Sequence, residues 1–171
     1  MMSARWIQAC SILIIFFFCI IKANASTVCP PPTGKVVLLL QAADKTTQSC
    51  DMADFDRLPQ HTIETSLPAG LDITGKNKWS GVYLADIARQ LGAQPESSIE
   101  LIALNDYIIT IPMSDVLIYN PVLASRFNGD LIPIRSKGPF ILIYPFDQHS
   151  EINTAKYQDY TIWMVHEILI K

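Results

Sequence analysis

The sequence predicts an α+β fold built on a mixed, mostly antiparallel sheet with a few short helices. Three observations predict it. Apolar runs of strand length recur at Val36–Gln41, Ile99–Leu104, Tyr107–Ile111, Val122–Phe127 and Phe140–Tyr144. Only one segment, Val82–Leu91, has a clear helical stripe. Strands and helices do not alternate regularly, as a doubly wound sheet would require.

Taken in order, the chain opens with a processing signal: Arg5 is the basic end, Ile12–Ile21 an unbroken apolar run, and Ala23-Asn24-Ala25 a small-x-small cleavage pattern. That run is shorter than the roughly 20 apolar residues of a membrane span. The expectation is a signal peptide over 1–25, cleaved near Ala25, and one domain over 26–171. Pro30-Pro31-Pro32 is a stiff lead-in, and Val36–Gln41 follows as a buried strand. Asp51–Leu58 reads as one or two helical turns, capped by Asp51 and stopped by Pro59.

In Val82–Leu91 the residues Val82, Leu84, Ala85, Ile87, Ala88 and Leu91 form the apolar face. Asp86 and Arg89 point outward, Gly92 fits the C′ stop, and Trp79 is placed to staple the helix start. Ile99–Leu104 and Tyr107–Ile111 flank a turn at Asn105-Asp106. Ser114 or Asp115 caps a short helix ending at Tyr119. Val122–Phe127, Asn128-Gly129 and Leu131–Arg135 make a hairpin. Phe140–Tyr144 is a strand ending at Pro145, and Thr161–Ile170 is a closing strand long enough to cross the sheet.

Composition excludes some partners. Cleavage after Ala25 removes Arg5 and Lys22 from the 13 basic side chains, leaving 11 against 16 acids and a formal charge of −5. Nucleic acid and anionic membrane reward clustered cations, so neither is an expected partner. Cys29 and Cys50, the two cysteines of the mature chain, read first as a disulfide in an oxidising compartment. Such a bridge stabilises by about 3 kcal/mol. A metal site is not expected: there is no C-x-x-C, and His61, His149 and His166 lack ligand spacing.

Several segments, in order, carry a resemblance. They are Leu58-Pro59-Gln60-His61-Thr62-Ile63-Glu64-Thr65-Ser66; Trp79-Ser80-Gly81-Val82-Tyr83-Leu84-Ala85-Asp86-Ile87; Leu104-Asn105-Asp106-Tyr107 with Ile111-Pro112; and Leu123-Ala124 with Asn128-Gly129. Last come Lys137-Gly138-Pro139, Tyr144-Pro145 and Trp163. Together they resemble the sulfite oxidase-type molybdopterin domain over most of the mature chain. The resemblance places Thr65, on a loop, where such domains carry the cysteine that ligates molybdenum. A hydroxyl is a poor substitute for a thiolate on a soft metal. Ile141 and Ile162 stand where the enzymes carry an arginine and a lysine that pair with anions. Three losses in one direction imply a pocket kept for an uncharged ring.

That pattern is similar to the small exported pterin-binding proteins of this fold, the pteridine-responsive regulators of bacterial biofilm formation. The resemblance implies a periplasmic, non-enzymatic protein that binds a reduced or oxidised pterin, of neopterin or biopterin type, without molybdenum. It implies as partner the periplasmic domain of a membrane diguanylate cyclase/phosphodiesterase, so that pterin status alters cyclic di-GMP. Two other readings stand beside it. One is a periplasmic molybdopterin-dependent oxidoreductase in which Cys50 replaces the missing ligand. The other is an assembly protein that kept the fold without the ligand.

A pterin needs an aromatic ring for its face and a carboxylate or amide for its edge. Trp163 is the stacking candidate; in a strand it faces away from Ile162, so one of the two belongs to the core. Tyr144 and Phe146 flank Pro145 as rim or packing residues. Asn105, Asp106 and Tyr107 lie at the turn, Asp147 follows an apolar strand, and Arg126 precedes the hairpin tip. Glu64 and Thr65 are expected to face the end of the pocket that holds the pterin side chain. The apolar residues of Val116–Val122 suit either a docking face or core.

Overall fold

A computed structural model describes residues 27–171; the predicted signal peptide and its cleavage site lie outside the described residues. One ten-stranded sheet organises them. Its main path runs β2 (Thr47–Asp51), β1 (Val36–Gln41), β10 (Trp163–Ile170), β9 (Phe140–Ile143), β7 (Val122–Phe127), β4 (Lys76–Tyr83) and β3 (His61–Ser66). Strand β5 (Ser98–Ala103) joins β10 and pairs in turn with β6 (Ile108–Pro112), while β8 (Asp130–Leu131) pairs with β7. Only β1 and β10 are parallel; every other pairing is antiparallel. The predicted α+β class is the observed one.

Continuous apolar runs arise where a strand is covered on both faces. In β9, Phe140 and Leu142 enter the larger core with Leu38, Phe55, Leu84 and Ile168, whereas Ile141 and Ile143 enter a smaller one with Ile63, Trp79, Val122 and Ala124. Helix α2 (Leu84–Gln90) buries Leu84, Ala85, Ile87 and Ala88 in the larger core. It starts two residues later than predicted, because Val82 and Tyr83 finish β4 against Leu123 and Val122. Gly81 is required there, since a Cβ would overlap the Leu123 carbonyl. Trp79 is no helix staple: it lies within β4, fully buried, against Phe127 at 4.7 Å between ring centroids.

Local chemistry fixes the other elements. In α1 (Met52–Arg57) Asp51 accepts from the Asp54 N–H at 2.8 Å and Asp54 accepts from the Asp51 N–H, a reciprocal capping box. Asp51 also accepts from Gly34 N–H at 2.7 Å, tying the proline-rich lead-in to the helix. Cys29 and Cys50 form the disulfide, with 5.5 Å between Cα atoms. Helix α3 (Met113–Tyr119) begins after Pro112 with no side-chain cap, so neither Ser114 nor Asp115 caps it.

Three further expectations change. The Glu64-Thr65 segment is strand β3 rather than a loop, paired along its length with β4. The hairpin's second strand is only Asp130–Leu131, shorter than predicted, and Pro133 just beyond it has no N–H to extend the ladder. A 3-10 turn at Ser150–Ile152 and helix α4 (Ala155–Tyr160) fill the stretch before β10, where the sequence predicts no element.

Candidate functional site

Strand β10 begins with an irregularity. Trp163 and Val165 pair with the adjacent residues Ile141 and Phe140 of β9, leaving Met164 as the extra residue of a bulge. Met164 has φ of 59°, donates its N–H to the Lys137 carbonyl at 2.8 Å, and accepts from the Leu104 N–H at 2.9 Å. A non-glycine residue in this region costs about 1–3 kcal/mol and persists where its surroundings over-determine it. The bulge sets Trp163 at the sheet margin. Ile162 is the core member of the pair, 2% exposed, while Trp163 is half-buried.

Trp163 forms one wall of a cavity of about 290 Å³. Leu71 and Ile162 supply apolar lining, and Asn105 and Tyr107 come from the β5–β6 turn. Gln158 and Asp159 of α4 and Thr161 complete it. The Thr161 hydroxyl donates to the Tyr157 carbonyl at 2.9 Å and is already used. Asn105 Oδ1 accepts from the Tyr107 N–H at 3.3 Å, which leaves its amide nitrogen uncommitted. Asp159 is exposed and has no hydrogen-bond or ion-pair partner among the described residues. An aromatic wall, an apolar lining and a free carboxylate thus share one recess.

Lys137 contacts the Trp163 ring without lining this cavity, its Nζ 3.8 Å from the ring centroid. It lines a second recess, of about 600 Å³, with Asp72, Trp79, Phe127, Asp130 and Ile141. The β3–β4 connection lines both: Leu71 the smaller cavity, Asp72 and Ile73 the larger. A cation therefore remains beside the expected stacking ring, although Ile141 and Ile162 are apolar.

Of the sequence-predicted residues, the structure brings Asn105, Tyr107 and Trp163 to one cavity. Asp106 is next to it in sequence, yet it takes φ of 62° at the turn, is exposed, and does not line the cavity. Thr65 is fully buried, donates its hydroxyl to the Ser66 carbonyl at 3.2 Å and accepts from the Asp147 N–H at 3.1 Å. Asp147 in turn accepts from the Ser66 N–H at 3.1 Å and lies 3.9 Å from Lys76. This closed set of bonds pins the end of β3 to the loop after β9. Glu64 faces away from Thr65 and pairs with Lys78 at 3.4 Å.

Arg126 makes a two-pronged bond to Asp56, at 2.7 and 2.8 Å, and that carboxylate raises its pKa. It ties β7 to α1 rather than reaching the cavity. Tyr144 is wholly buried among Phe146, Tyr157 and Tyr160, its hydroxyl without a partner, and burial drives its pKa far up. Phe146 is 7% exposed. Both are packing residues here.

Leu71, Gln158 and Asp159 belong to the site, and Lys137 touches its Trp163 ring, although the sequence reading passed over them as site residues. A signal for Asp159 was available: it is the first acid upstream of Trp163, four positions away, and a helical turn before a strand brings such a residue alongside.

No family model matches this chain, and no curated protein matches it. Among solved structures it is similar to the sulfane dehydrogenase SoxCD from Paracoccus pantotrophus, with a TM-score of 0.55 and 15% sequence identity. The match covers 78% of this chain and 37% of that one, so this chain spans little more than a third of its neighbour's length. An identity of 15% establishes the architecture and no more: the chain has the sulfite oxidase-like molybdopterin-domain fold.

Proposed function

We propose that this protein is an exported pterin-binding module without molybdenum. In this reading it regulates a membrane cyclic di-GMP signalling protein through that protein's periplasmic domain. One observation carries the binding role: Trp163 forms a wall of a recess of about 290 Å³ that also holds an uncommitted amide nitrogen at Asn105 and a free carboxylate at Asp159. That volume lies at the lower end of small-molecule sites, which suits a two-ring heterocycle. The ring face takes stacking, and the amide and acid take the polar edge.

The residues present do not suit a molybdenum centre. Thr65 offers a hydroxyl already committed to Ser66 and Asp147, and Cys50 is bound to Cys29. Neither supplies the thiolate that a soft metal takes. The disulfide also fits an oxidising compartment such as the periplasm. Regulation requires that pterin occupancy change the affinity for the membrane partner, a coupling free energy that needs no large motion.

The test is the content of natively expressed protein. Metal-free protein carrying a blue-fluorescent pterin supports the reading. Near-stoichiometric molybdenum overturns it, and so does a protein that carries no pterin and shows no saturable binding of neopterin or biopterin in either redox state.

A further inference from the structure

We infer that Asp159 selects the ligand by its amino-substituted edge, so that the site takes 2-amino-4-oxo pteridines and rejects the 2,4-dioxo forms. This inference rests on the pterin reading above and goes further, because it names a specificity residue and the chemical group it reads.

Asp159 is the one charged side chain lining the Trp163 cavity. The hydroxyl of Thr161 and the amide oxygen of Asn105 are each engaged within the protein, while Asp159 has no partner among the described residues. An ionised carboxylate is an acceptor only. It therefore requires donors from whatever lies against it, and a pterin edge presents two side by side, the exocyclic amine and the neighbouring ring N–H. The pair forms a bidentate, charge-assisted contact that fixes the ring's orientation while Trp163 covers its face.

Lumazine carries a carbonyl in place of that amine. Its oxygen would face the carboxylate oxygen, two acceptors with no proton between them. Sites built to bond a polar group reject analogues that cannot complete the bond. Asp159 is exposed, and water reduces the penalty, so the discrimination expected is about 10- to 100-fold rather than the larger ratios of sealed pockets. Gln158 can rotate to present donor or acceptor and adds no such bias, while Asn105, its oxygen held by the Tyr107 N–H, offers only its amide nitrogen as a donor.

The experiment titrates pterin and lumazine into the full-length protein and its Asp159→Asn variant by calorimetry. The unaltered protein should prefer pterin by about 10-fold or more. Asp159→Asn should weaken pterin and strengthen lumazine, closing the gap, because an amide can donate to the carbonyl. Asp159 is on the surface of α4, so the variant should keep its fold, checked by circular dichroism. A pterin-to-lumazine ratio unchanged by Asp159→Asn overturns the assignment while leaving the pterin reading intact. An unaltered protein that binds neither compound overturns both.

Discussion

The end of β3 and the start of β10 treat their polar groups in opposite ways. At the end of β3, Thr65, Ser66 and Asp147 satisfy one another, and the central hydroxyl is fully buried. At the start of β10, Trp163 stands half-exposed beside a carboxylate and an amide nitrogen that the protein leaves uncommitted. A closed hydrogen-bond set contributes rigidity, and removing a member leaves a buried group unpaired. An open set contributes little to the fold and is available to a ligand. The contrast separates a position that once looked chemical, Thr65, from positions equipped to bind.

The largest effect expected on binding is at Trp163. Trp163→Ala should reduce pterin affinity by about 30-fold, in line with roughly 2 kcal/mol for stacking on an indole. Titration calorimetry measures it, and unchanged affinity would remove Trp163 from the site. Thr65→Val should do the reverse. It strands the Asp147 N–H and should cost about 1–2 kcal/mol in urea unfolding, while pterin affinity moves less than about two-fold. Loss of binding in Thr65→Val with stability intact would break the comparison.

Smaller effects sharpen it. Tyr144→Phe removes a buried hydroxyl that has no partner, so thermal stability should hold or rise by about 0.5–1 kcal/mol. A clear loss would mean that the hydroxyl is used. The smallest effect concerns acid. Backbone N–H groups, foremost that of Asp54 and then that of Gly34, hold the Asp51 pKa below its ordinary value. A depressed carboxylate stabilises the fold above its unfolded pKa of about 3.9, and that stability is lost as pH falls through the folded value. Unfolding midpoints measured from pH 5 to pH 2 should fall more for the native chain than for Asp51→Asn, and equal slopes would exclude this contribution.

Much of the fold was legible in the sequence. The apolar runs of β7 and β9 stand out because both faces are covered, whereas β1, expected as a buried strand, buries only Leu38 and Leu40 and leaves Val36 and Leu39 exposed. The capping box of α1 is visible in the residue types at Asp51 and Asp54. Strand β3 was not, because in His61–Ser66 only Ile63 is strongly apolar, and its buried neighbour is a threonine. Helix α4 was hidden for a related reason: Lys156, Gln158 and Asp159 leave it no apolar stripe, and its tyrosines pack sideways onto one another. The site divided along the same line. Trp163, Asn105 and Tyr107 came from the resemblance and meet in one cavity, whereas Asp159 needed the position of α4 to be known.

The most direct test of the account titrates a reduced neopterin into the native protein, Trp163→Ala and Thr65→Val under one set of conditions. The account predicts saturable one-site binding for the native protein and Thr65→Val, and a loss of about 30-fold for Trp163→Ala. Binding that survives in Trp163→Ala and vanishes in Thr65→Val would contradict it.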